Sequence, residues 1–216
     1  MTVNAVRDLR PVFGQIRHQG SRSTCCAFAC SDLHASRRLP WIPLSCEYAF
    51  YQGARRQGTG PHGGVYLRHI LDAIEQDGQP VDAGWPYLAT IPADVALWTP
   101  PGDVGELFCG KGVRSNWNVT GIKSAIDQDM PVLIVLTVSD AFYLPDVQGV
   151  VDSVEPVDPT RVHALVAIGS GTNGADAYTL VRNSWGAGWG LAGHAWISDR
   201  YLSVRILETA TMTKVP

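Results

Sequence analysis

The chain has 216 residues, 45% of them hydrophobic and 17% charged, which is enough apolar material to bury a core in one domain or in two small lobes. Its formal net charge is −3 and it has no basic run, which excludes binding dominated by nucleic-acid phosphates. No apolar stretch reaches the roughly 20 residues that a membrane-spanning helix needs.

In chain order, residues 24–37 predict a first helix. Ala27, Phe28, Ala29, Cys30 and Leu33 are apolar, Ser23 or Thr24 is placed to cap the first turn, and Pro40 and Pro43 follow its end. Ser45 is placed to cap a second helix from Cys46 to about Arg55. After the glycine-rich turn at Gly58–Gly64, Leu67, Ile70, Leu71 and Ile74 have helical spacing to about Asp77, and Gly78 stops them. Residues 79–118 are rich in Pro, Gly and Trp and read as loops. Beyond them the period changes. Thr120–Gln128 predicts a short helix. Val132–Val138 is apolar and β-branched and predicts a strand, with further strands at 163–168, 178–183, 194–198 and 203–207. Helices followed by strands give an α+β fold. The shift near residue 115 divides a mainly helical part, about 13–114, from a mainly β part, about 115–210, on which residues 1–12 are expected to pack.

Four side chains carry the chemistry. Gln19 lies six positions before Cys25, in Gln19-Gly20-Ser21-Arg22-Ser23-Thr24-Cys25-Cys26-Ala27-Phe28. His163 opens the run Val162-His163-Ala164-Leu165-Val166, and Asn183 follows twenty positions later in Asn183-Ser184-Trp185-Gly186-Ala187-Gly188-Trp189-Gly190. A thiol, an imidazole, an amide to orient that imidazole and an amide to bind an oxyanion are the parts of an acyl-transfer site. A cysteine in the first turn of a helix sits where the dipole favours the thiolate, which is the attacking species.

These segments resemble the papain-like cysteine peptidases, over about Pro11 to Ile197. The resemblance implies a two-lobed α+β fold with the active site in a cleft between a helical lobe and an antiparallel β lobe. It implies Cys25 as nucleophile, His163 as acid and base, and Asn183 as the orienting amide under a covering Trp185. Gln19 would join the Cys25 backbone N–H in binding the oxyanion. Gly63 and Gly64 match the glycine pair that borders a bound peptide in the family. Tyr87, Val132 and Val162 match the walls of its main apolar side-chain pocket, and Trp185 and Trp189 are expected to face substrate. The expected partners are a peptide or protein substrate and an inhibitory or regulatory protein, with no nucleic acid and no membrane. No cofactor and no metal are expected.

The chain departs from the family pattern at three positions. Arg22 replaces the cysteine that begins the family's first disulfide, Ser23 replaces a glycine, and Cys26 replaces a tryptophan. Cys46 and Cys109 are expected to be free thiols, buried as small apolar groups. The polar, charged residues 1–20 lack a signal-peptide core, so synthesis in the cytoplasm without a pro-segment is expected, with signal-independent export as the other route. The Gly105–Lys111 run imitates a phosphate-binding loop but is followed by Gly112 in place of Ser or Thr. Cys26, Cys30 and His34 share a helix face and read as a core stripe. Two alternatives to peptide hydrolysis remain: the same acyl-enzyme resolved by an amine, as in a peptide ligase, or a catalytically silent peptide-binding form.

Overall fold

The computed structural model describes residues 2–213. Its elements run β1 (Asn4–Asp8), α1 (Cys25–Ser36), α2 (Cys46–Gln57), α3 (Leu67–Gln76), β2 (Gly112–Ser115), α4 (Val119–Asp127), β3 (Val132–Thr137), α5 (Asp140–Tyr143), β4 (Val150–Val151), β5 (Val162–Asn173), β6 (Asp176–Arg182), β7 (His194–Ser198), α6 (Asp199–Ser203) and β8 (Ile206–Met212). This is an α+β fold. It divides into two compact units: Gln19–Val113 with a short return beginning at Met212, and the residues up to His18 together with Arg114–Thr211.

The first unit is built on α1, α2 and α3. In α1 every residue from Ala27 to Ser36 is buried, the polar Ser31, Asp32, His34 and Ser36 among them. Thr24 stands at its N-cap position, but its side chain makes no cap; the hydroxyl pairs with the Tyr87 hydroxyl at 3.0 Å instead. Ser45 does cap α2, accepting from the Tyr48 N–H at 3.0 Å. That helix runs two residues past Arg55 and ends where Gly58 takes a φ of 75°. Leu67, Ile70, Leu71 and Ile74 form the buried face of α3.

The second unit is organised around one sheet. Its strand order is β2-β8-β3-β5-β6-β7-β4, with β1 paired to β5. The pairs on either side of β5 are antiparallel, and β4 joins β7 in parallel. The 12-residue β5 is long enough for two strands to share one edge: β3 takes Val162 to Ala167, and β1 takes Gly169 to Thr172. Gly169 makes the second pairing possible, because a Cβ there would lie 2.5 Å from the Arg7 carbonyl oxygen. All six residues of β3 are buried.

Three expectations are corrected. The strand expected at 203–207 begins at Ile206, because Ser198 Oγ accepts from Tyr201 N and caps the helix Asp199–Ser203 in front of it. The loop region 79–118 contributes β2 near its end. Cys109 is exposed, while Cys46 is buried as expected.

Candidate active site

Cys25 is the first residue of α1 and is half-buried. Its neighbour Cys26 is rotated by about 100° around the helix axis, so the two sulfurs leave α1 in different directions. Gln19 is buried, and its Nε2 donates to the Arg22 carbonyl at 2.9 Å, which sets the plane of the amide. Tyr87 holds the same segment at two points. Its hydroxyl donates to the Gln19 carbonyl at 2.6 Å and pairs with Thr24 Oγ1. Burial pushes the Tyr87 pKa upward, which keeps it a neutral O–H donor. Its ring meets Phe28 edge-on at 4.7 Å. Gly63 and Gly64 are exposed, and a Cβ on Gly64 would come within ordinary contact of Ser23, at 3.9 Å. The Gly64 carbonyl accepts from Gln57 Nε2 at 2.9 Å. Gln19, Cys25, Gly64 and Tyr87 are thus gathered around one segment of the helical unit.

The second unit carries His163 and Asn183. His163 lies near the start of β5 and is buried. Its Nε2 is 2.7 Å from Asn183 Oδ1. That oxygen also accepts from the Ser184 N–H at 2.8 Å. An amide oxygen only accepts, so the His163 hydrogen is on Nε2 and Nδ1 is left to exchange protons with a substrate or nucleophile. Trp185 covers the pair, with its ring centroid 4.6 Å from the imidazole. Phe142 supports the assembly, edge-on to His163 at 5.8 Å and to Trp185 at 5.4 Å. Trp189 is held against it, its Nε1 donating to the Phe142 carbonyl at 3.0 Å. An open depression of about 420 Å³ lies beside the tryptophans, walled by Tyr143, Leu144, Val147, Trp185 and Trp189. Tyr143 stacks on Trp185 at 5.2 Å.

Val132 and Val162 do not wall a common pocket. Val162 pairs with Thr137 and Val132 with Ala167, so they stand at opposite ends of the β3–β5 ladder. Five residues of strand at about 3.3 Å each separate them by roughly 16 Å. Val132 is fully buried, whereas Val162 is half exposed. Matching by position alone did not reveal this, because the register of the two strands decides it. Sequence reading also missed Phe142 and the Arg22–Glu47 pair. Phe142 carries no motif, and nothing in the local sequence links Arg22 to a residue 25 positions away.

Against known proteins, the chain is 27% identical over 210 residues to a cysteine protease of Blomia tropicalis, which covers 91% of this chain and 61% of that protein. The chain therefore spans less than two thirds of that relative's length. Among solved structures it superposes on xylellain, a cysteine protease from Xylella fastidiosa, with a TM-score of 0.75 at 19% identity, covering 97% of this chain and 86% of that one. It superposes on bromelain from Ananas comosus, solved in complex with the E64 inhibitor, with a TM-score of 0.73 at 20% identity, covering 96% of this chain and 98% of that one. These likenesses show the papain-like fold. The model of the family described as "Papain family cysteine protease" matches residues 57–213, a stretch that holds His163 and Asn183 and stops short of Gln19 and Cys25. Because that match spans well over half of the sequence, the chain belongs to the papain family of cysteine proteases.

Proposed function

We propose that the chain is a thiol peptidase that cleaves peptide bonds through an acyl-enzyme on Cys25. The observation that carries this reading is the buried His163–Asn183 pair under Trp185, which presets the imidazole tautomer that an acid–base step requires. The Cys25 thiolate attacks the scissile carbonyl carbon and forms the S–C bond. The carbonyl π electrons move to oxygen, where the Cys25 backbone N–H and the Gln19 amide stabilise the negative charge. As the oxyanion collapses, the C–N bond breaks and the His163 imidazolium gives its Nδ1 proton to the leaving amine. Water then attacks the thioester. His163 takes its proton, the S–C bond breaks, and the acid product leaves. Asn183 keeps the ring in one orientation through both proton transfers.

The depression is walled by Trp185, whose ring packs on His163, so we assign it to the residues that depart with the leaving amine. A reducing compartment such as the cytoplasm suits the chain, because five cysteines, an odd number, fit it better than a disulfide scaffold.

The test is hydrolysis of a fluorogenic peptide library by the wild type and by Cys25→Ala, together with labelling by E-64. Turnover and a single E-64 adduct on Cys25, both lost in Cys25→Ala, are expected. A folded wild type with neither turnover nor Cys25 labelling would leave the peptide-binding alternative. Product joined to an added amine, with no hydrolysis, would identify a ligase.

A further inference from the structure

The segment bearing Gln19 and Cys25 is tied to α2 by a buried ion pair. Arg22 Nη1 lies 2.6 Å from Glu47 Oε2, and Arg22 Nη2 lies 3.0 Å from Glu47 Oε1. The two side chains are 8% and 0% exposed. Each carboxylate oxygen takes a second donor: the Leu88 N–H reaches Oε2 at 3.0 Å, and Trp98 Nε1 reaches Oε1 at 2.7 Å. Arg22 Nη1 also donates to the Leu88 carbonyl at 2.5 Å. The guanidinium is flanked by the rings of Phe50 and Tyr87, at 5.3 and 5.0 Å.

A buried ion pair of this kind contributes little to stability relative to well-packed apolar side chains, since desolvation offsets most of the attraction. What the two-pronged contact supplies is direction: a planar fork on a planar carboxylate fixes where Arg22 sits and how it is turned. The main chain of Arg22 is where that direction is used. Its carbonyl accepts the Gln19 side-chain amide, and Cys25 begins α1 three residues on. Tyr87, packed on the guanidinium, holds the Gln19 carbonyl and the Thr24 hydroxyl.

We propose that Arg22 and Glu47 are positioning residues. Their ion pair sets the Gln19 amide, and with it the oxyanion-binding donors, without touching substrate. The catalytic part of this proposal rests on the peptidase reading above.

A double-mutant cycle separates positioning from plain stability. Gln19→Ala is expected to lower kcat by about 10²-fold, the usual cost of one oxyanion donor. Arg22→Lys keeps the charge and loses the fork. It should lower kcat by roughly 10-fold with KM within twofold, and Arg22→Lys with Gln19→Ala should be no slower than Gln19→Ala alone. Losses that multiply in full would overturn the proposal. A second readout does not depend on catalysis. The Gln19 side-chain amide should show hydrogen-exchange protection by NMR in the wild type and lose it in folded Arg22→Lys. Unchanged protection would overturn the proposal, whereas protection that is lost in Arg22→Lys, in a protein whose wild type cleaves nothing, would uphold the positioning and reject only the peptidase reading. Should Arg22→Lys not fold, Trp98→Phe removes one donor from Glu47 and is judged by the same two criteria.

Discussion

Asn183 Oδ1 accepts from both His163 Nε2 and the Ser184 N–H, so the amide sits only one way round. The His163 tautomer follows from that, and the proton-transfer role follows from the tautomer. A second histidine shows the opposite use of burial. His34, wholly buried in α1, bonds through Nδ1 to Gln79 Oε1 at 3.1 Å, and Gln79 Nε2 donates in turn to Ser31 and to the Ser45 carbonyl. Burial lowers the His34 pKa, with the nearby Arg38 charge acting in the same direction and the Gln79 bond opposing them. The folded protein thus keeps His34 neutral at a pH where the unfolded chain takes up a proton. This contribution to stability is fully present above the unfolded value of about 6.5 and is lost as pH falls towards the folded value. Wild type should therefore lose stability as pH falls through about 6.5 towards the lowered folded value of this group. His34→Gln, which keeps an amide partner for Gln79, should flatten that slope in urea melts. An equal slope in the two proteins would refute the assignment.

At the scale of elements, Gly53 in the middle of α2 is unfavourable on propensity alone. The packing explains it. A Cβ there would lie 2.5 Å from Ile70 Cδ1 and 3.2 Å from Val65 Cγ1, so the glycine lets α3 approach α2. Gly53→Leu should cost about 1–3 kcal/mol through overpacking, read as a lower urea midpoint with an unchanged slope. A neutral result would mean that the two helices separate easily. The helices were legible in the sequence because their apolar spacing and the Ser45 cap are local signals. The α6 helix and the true start of β8 were less so. Ser198 and Asp199 are good capping residues, but the apolar Val204 and Ile206 read as the start of a strand at 203, whereas the helix buries Tyr201 and Leu202 and leaves Val204 exposed. β1 escaped notice because Asn4-Ala-Val-Arg-Asp is mostly exposed and lacks alternation; it is a strand only because the edge of β5 is there to pair with.

For the whole molecule, the reading of all five cysteines as thiols predicts that a denatured, unreduced sample titrates with five equivalents of a disulfide reagent. Three equivalents would indicate one disulfide and weaken the case for a reducing compartment. By itself the sequence determined the α+β class and the three main helices, and it singled out Cys25, Gln19, His163 and Asn183 as the candidate reactive set. Each of these rests on signals carried within a few residues of chain: apolar period, capping residues and short motifs. Tertiary structure alone decided that Val132 and Val162 stand apart, that Cys109 is exposed, that Phe142 braces Trp185 and Trp189, and that a buried Glu47 grips Arg22. Those outcomes depend on strand register and on contacts between distant segments, for which local residue pattern carries no term.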